Sequence, residues 1–216
     1  MKFKFYILLL SALSISFSGC YPDGPDYVDE LDIVYTNYDP SFDFKAVNTF
    51  ALPDSVVIIN GSDFREQNGV DKPEFVTAQY ATVILNTIRN NLINRGWSEV
   101  DKSENPDVIL LSSVTNTTYV YYYYDWYYWN WWYPDWQAGW GWYYPGYYYP
   151  IYRTGYHAGT LFIQMTDSKN STTNFNISVP WSVEINGLMQ GSVSSIKIRL
   201  KNTIDQAFDQ SPYLNH

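Results

Sequence analysis

Few residues in this chain are able to do covalent chemistry. Its 216 residues include two histidines, His157 and His216, and one cysteine, Cys20. A zinc site needs several His, Cys or acidic ligands at short spacing, and neither a His-Glu-x-x-His nor a Cys-rich group occurs. A Ser–His–Asp relay would have to recruit His157, yet the chain has no strained Gly-x-Ser-x-Gly elbow to expose the serine. No phosphate-binding Gly-rich loop follows a strand. Two carboxylates at a fixed separation hydrolyse glycosidic bonds. Asp125 and Asp135 are the acids to consider for that role, and sequence spacing does not set their separation. Asp23, Asp26, Asp29, Glu30 and Asp32 depart from the spacing of a calcium loop and read as a solvated acidic stretch. The expectation is a protein that is not an enzyme and that holds no metal and no cofactor. A glycan-active hydrolase ranks last among the readings.

Cys20 has a different chemistry. Lys2 and Lys4 precede the apolar stretch "FYILLLSALSISF", and "FSGC" follows it. This layout is that of a secretory leader, too short for a membrane span. Its end resembles the bacterial lipobox, where cleavage before the cysteine leaves a thiol that carries diacylglycerol. Residues 1–19 are therefore expected to be a lipoprotein signal peptide. Cys20 is expected to be lipidated, with fatty acyl chains such as palmitate inserted in the membrane. Two or more chains anchor stably where one does not. The alternative is an ordinary leader with a chance cysteine. Residues 20–30, "CYPDGPDYVDE", are rich in Pro, Gly and Asp and read as a flexible lipidated linker. Acids just behind the cysteine also look like the surface-export signal of Bacteroidetes lipoproteins. The expected location is the bacterial outer membrane, on its periplasmic face or the cell surface.

Charge narrows the partners. The whole chain has 13 basic and 22 acidic residues. Removing residues 1–19 takes away Lys2 and Lys4 and leaves 11 basic against 22 acidic residues, a formal balance of −11. Nucleic-acid binding needs basic patches, so it is not expected. The membrane partner is reached through the lipid on Cys20 rather than through charge.

Residues 119–152 are the compositional outlier. Tyr and Trp fill 21 of these 34 positions. Three readings follow. Interfacial membrane insertion suits rings that are apolar with a wet tip; a spanning helix is excluded by Pro134, Pro145, Pro150, Gly139, Gly141 and Gly146. A platform for a glycan or an envelope protein would use Trp126, Trp129, Trp131, Trp132, Trp136, Trp140 and Trp142 as stacking surfaces. The third reading is a biased connection between two strands, with its flanks at 119–124 and 147–152 extended into a hairpin.

The elements around this segment follow from periodicity. "LDIVYTNYD" reads as a strand, as does "FDFKAVNTFAL", where Phe42, Phe44 and Ala46 recur at spacing two, with Pro53 ending it. Residues 56–59 suit a short strand. Lys72 to Arg95 predicts a helix, with Asp71 as cap, Pro73 in the first turn, an apolar stripe through Val76, Tyr80, Ile84, Ile88 and Leu92, and Gly96 after its end. Asn86, Asn90, Asn91 and Asn94 fall on its wet face. Strands are expected at 107–114, at 159–167 and through "NFNISVPWSVEINGL", interrupted at Pro180. Val193, Ile196, Leu200, Ile204 and Ala207 predict a closing helix from Ser192 to Phe208. The fold class is α+β in two layers: an antiparallel sheet of about five strands with two helices on one face, plus a long aromatic-rich hairpin or loop. Residues 31–216 form one domain containing the 119–152 insertion.

Ordered motifs in this domain resemble one bacterial lipoprotein family, domain-of-unknown-function family 4136. They are Tyr38-Asp39, Asp43-Phe44 and Thr49-Phe50, then "ILNTIRNNLINRGWSEVD", "NPDVIL", "GTLFIQMTDSKNS" and "TIDQAFDQSP". The resemblance covers about residues 32–213. One departure is at Trp181, followed by Ser182 and Val183 where the family places a Trp-Arg-Gly-like group. The resemblance implies an α+β envelope lipoprotein and no assigned reaction. The reading is thus a lipid-anchored cell-envelope protein with a binding or assembly role, contacting its partner through 119–152. The alternative is a purely structural lipoprotein whose aromatic loop is expected to be disordered and without a specific ligand.

Overall fold

A computed structural model of the chain describes residues 32–59, 74–115, 141–143, 159–167, 169, 176–187 and 191–216. Ten strands and two helices are described in it. β1 (Ile33–Tyr38), β2 (Thr49–Ala51), β3 (Val57–Ile59) and β4 (Glu74–Phe75) precede α1 (Ala78–Asn94). β5 (Ser98–Glu99), β6 (Val108–Thr115), β7 (Gly141–Tyr143), β8 (Thr160–Asp167), β9 (Asn176–Ser178) and β10 (Trp181–Asn186) lead to α2 (Val193–Asp209). The chain is α+β, as expected. The main sheet has eight strands in mixed orientation, rather than about five antiparallel ones. Its path is β1-β10-β8-β6-β2-β5, with β3 also on β6 and β4 on β3.

The antiparallel half is β1, β10, β8 and β6. β2 and β3 both run parallel to β6, one along its first residues and the other along its last. Parallel pairing needs a long crossover, and the chain between β3 and β6, which runs through β4, α1 and β5, supplies one. Turn-rich spacing alone had suggested hairpins. Pro53 falls between β2 and β3, where a missing N–H ends one ladder before the next begins.

The stretch Phe42–Ala46 is a second correction. It was expected to be strand and is a set of turns. Asp39 Oδ1 accepts from the Ser41 N–H at 2.8 Å, and Asp43 Oδ1 accepts from the Lys45 N–H at 3.0 Å. Such Asp side chains offer the backbone an alternative to the ladder. Phe44 is still buried in the core.

α1 starts at Ala78 with Thr77 in the cap position, not at Lys72, because Glu74 and Phe75 pair with β3. Asp71 and Pro73 lie outside the described residues. The apolar stripe packs as expected, with Ile84, Leu85, Ile88 and Leu92 buried. The helix ends as Gly96 predicts: Gly96 has φ 95°, its N–H donates to Ile93 O, and Trp97 N–H donates to Leu92 O. This pair of bonds is the Schellman closure. α2 begins at Ser192, whose hydroxyl accepts from the Ser195 N–H at 3.2 Å.

Both helices pack on one face. There Val108, Leu110, Ile163, Met165, Trp181 and Val183 meet Ile88, Leu92, Ile204 and Phe208 in one core. The opposite face is also buried along the central strands, including Ile109, Leu111, Phe162, Gln164 and Thr166. A two-layer arrangement would leave that face wet. β7 and β9 pair in parallel as a separate two-stranded sheet, and β9 contacts β8. Part of the aromatic segment is thus a strand, with Trp142 in register with Ile177.

Candidate functional site

The Tyr/Trp segment lies between β6 and β8. These strands are hydrogen-bonded neighbours, and their register pairs Thr115, the last residue of β6, with Thr160, the first of β8. Residues 116–159 therefore join two positions that face each other at one rung of the ladder. Beyond that rung, the pairing continues without interruption to Val108 and Asp167.

Polar side chains mark this point. Thr160 Oγ1 donates to Asn186 Oδ1 at 2.6 Å, and Asn186 Nδ2 donates to Glu184 Oε1 at 3.0 Å. Thr160 and Glu184 are buried, and the same sheet face carries Gln164 and Ser182 further along. Glu184, Gln164 and Ser182 each have a partner, as buried polar groups require. Sequence alternation sets Gln164 and Thr166 on the opposite side of the strand from Leu161, Ile163 and Met165. Nothing in the pattern signalled that this face is covered.

The expected contact residues are placed as follows. Trp142 belongs to β7. Trp126, Trp129, Trp131, Trp132, Trp136 and Trp140 lie outside the described residues, as do Cys20, His157, Asp125 and Asp135. His216 packs its ring edge-on against Trp97 at 4.8 Å, and its N–H donates to Arg95 O at 2.8 Å. Burial and the nearby Lys45 hold its imidazole below its ordinary pKa. Among the described residues, no three His, Cys, Asp or Glu side chains converge as a metal site.

The motif residues turn out to hold the fold. Asp107, from the Asn-Pro-Asp group, bridges β2 and β6. Its Oδ2 accepts from the Asn48 N–H at 3.0 Å, the Thr49 N–H at 2.9 Å and Thr49 Oγ1 at 2.7 Å. Its Oδ1 accepts from Lys169 Nζ at 2.5 Å. Burial opposes its charge, but these donors outweigh it and hold the carboxyl well below the usual carboxylate range. Ser211 Oγ, fully buried, accepts from Trp181 Nε1 at 2.9 Å and donates to Ala207 O at 2.9 Å. Tyr38 stacks on Tyr213 with centroids 4.1 Å apart.

Two contacts were missed in the sequence. Arg199, on α2, donates through Nε to Asp32 Oδ2 at 2.7 Å, pairs with Asp32 Oδ1 as well, and reaches Gly187 O at 2.5 Å. Asn91, expected on the wet face of α1, donates to Asp205 on α2 at 2.7 Å and is half-buried. Polar residues at helical spacing give no sign of a partner more than 100 positions away.

These features define an α+β domain: a mixed sheet with two helices on one face and a long aromatic excursion rooted at a single rung. The family model described as a domain of unknown function, DUF4136, matches residues 34–213, and the chain belongs to that family. It is similar to the crystal structure of a DUF4136 family protein from Bacteroides thetaiotaomicron VPI-5482. The two share 26% sequence identity at a TM-score of 0.63, covering 85% of this chain and 97% of the other. A PDZ domain protein from Parabacteroides distasonis ATCC 8503 is more distantly similar, at 18% identity and a TM-score of 0.39 over 81% of this chain and 36% of the other. No curated protein matches the chain.

Proposed function

We propose that the protein is a lipid-anchored cell-envelope component that acts by binding rather than by catalysis, and that the Tyr/Trp-rich segment 119–152 is its contact element. The observation that carries this reading is the rung at Thr115 and Thr160. An excursion rooted at one rung is not needed to connect the two strands, since two residues close a hairpin. Its aromatic content therefore calls for another explanation, and Tyr and Trp are the residues that dominate binding hot spots. The β7–β9 pairing supports the same reading, because it holds part of the segment against the domain. The ligand class is a glycan or another envelope component, whose sugar faces stack on indole and phenol rings. The anchor is Cys20, supported by the leader that precedes it.

The test uses the lipoprotein isolated from envelopes. Peptidoglycan fragments and surface glycans are titrated while Trp fluorescence is followed. Binding should be lost when residues 121–149 are replaced by a two-residue Asn-Gly turn. Undiminished binding by that variant, or no response to any envelope glycan, defeats the assignment of the contact element. Mass spectrometry of the isolated protein should find acyl chains on Cys20, absent in Cys20→Ser.

A further inference from the structure

One transverse row of residues gathers two attachment points. Ile33, Asn186, Thr160 and Thr115 are successive register partners across β1, β10, β8 and β6. The chain preceding the domain enters at this row through Asp32. The aromatic segment leaves and re-enters at it through Thr115 and Thr160. Two strand spacings separate Ile33 from Thr160 and three separate it from Thr115, about 10 and 14 Å at roughly 4.8 Å per step.

The entry point is fixed. Asp32 and Arg199 are both buried, with side chains 4% and 5% exposed, and Gly187 O completes the arginine's set. This ion pair joins the first described residue to the second turn of α2. The same end of the domain therefore carries the start of β1, the start of α2 and both roots.

Exposed apolar side chains divide unevenly between the two ends. Among the described residues five large ones are exposed. Ile33 (42%) and Val193 (45%) start β1 and α2 at the Asp32 end, and Ile198 (60%) follows in the second turn of α2, beside the Arg199 that binds Asp32. Tyr38 closes the far end of β1. Ile93 lies at the carboxyl end of α1, which runs parallel to α2, as Asn91–Asp205 and Arg95–Asp209 show. That places Ile93 beside the last turns of α2, level with Ala207 and about 21 Å along the helix from Val193 at 1.5 Å per residue.

We propose that this end of the domain, with Ile33, Val193 and Ile198 foremost, is a bilayer-contacting surface. The inference rests on the lipid-anchor reading and deepens it, from a domain on a leash to a domain with a fixed side down. The 11 residues from Tyr21 to Leu31 reach at most about 40 Å when fully extended. The tether thus holds the Asp32 end at a high effective concentration near the headgroups. Three part-exposed side chains, too few to draw a free domain to a membrane, then suffice to orient a tethered one. Among the described residues at this end, Asp32 is paired with Arg199 and the first turn of α2 carries no acid, which suits contact with zwitterionic headgroups.

The test uses the full lipoprotein in phosphatidylcholine vesicles. Acylated Cys20 leaves no free thiol, so Ile198→Cys carries a single environment-sensitive fluorophore. Ile93→Cys is the control at the opposite end, and Val193→Cys is a second site should Ile198→Cys fold poorly. Headgroup-nitroxide lipids should quench position 198 or 193 several-fold more than position 93, with blue-shifted emission at the former only. Equal quenching at both ends, or stronger quenching at 93, overturns the orientation and leaves the anchor standing. Absence of acyl chains on Cys20 by mass spectrometry removes the anchor itself, and the proposal with it.

Discussion

Asp107 gives the clearest consequence at the scale of one residue. Its folded pKa lies below the unfolded value of about 3.9, so its contribution to stability is complete above that value and declines as pH falls through it toward the folded one. Asp107→Asn should therefore flatten the acid limb of the stability profile below about pH 4. At pH 7 it should cost about 1–3 kcal/mol, since the Asn48 and Thr49 donors lose a charged acceptor. Urea melts at pH 3 and pH 7 check both. Ser112 predicts the opposite sign. Its hydroxyl is buried on the helix-facing side of β6 without a partner. Ser112→Ala should raise stability by about 1 kcal/mol, read as a higher urea midpoint at unchanged slope.

At the scale of elements, the end of α1 combines two constraints at Gly96. Its φ of 95° suits glycine, and a Cβ there would lie 2.9 Å from the His216 Cβ. Gly96→Ala should lower the melting temperature, with at least about 1–2 kcal/mol from backbone strain alone. Calorimetry measures it. Gly96 was legible in the sequence because a C-cap glycine is a local requirement, set by the residue's own φ. The apolar stripe of α1 and the alternation in β8 were legible for the same reason, since each is a repeat within one segment. The start of α1 was not. Glu74 and Phe75 pair with β3 instead of entering the helix, and pairing is a property of two segments. The parallel placement of β2 and β3 on β6 escaped notice on the same ground. Phe42–Ala46 misled because spacing two also arises when turns bury alternate side chains.

At the scale of the whole molecule, the Asp32–Arg199 pair closes the domain between its first strand and its last helix. Removing one partner strands a buried charge, so Arg199→Ala should cost about 3–5 kcal/mol, measurable by denaturant unfolding. Replacing residues 121–149 by an Asn-Gly turn should leave a cooperatively melting domain with its helical circular dichroism intact. It should melt at a lower temperature, because β9 loses β7. Loss of the cooperative transition would mean that the segment is integral to the fold. The candidate site itself was only half legible. Composition singled out the segment 119–152, but its common root at Thr115 and Thr160 depends on the β6–β8 register, which one sequence does not state.

That shared rung also bears on how such a protein can diversify. The entropy of closing a loop grows only with the logarithm of its length, so tripling the excursion would add about 1 kcal/mol. The ladder beneath Thr115 and Thr160 is made by β6 and β8 themselves, from Val108 opposite Asp167 upward. A lineage could exchange one recognition sequence for another at this position while the scaffold stays constant, and an engineer could graft a foreign peptide at the same address.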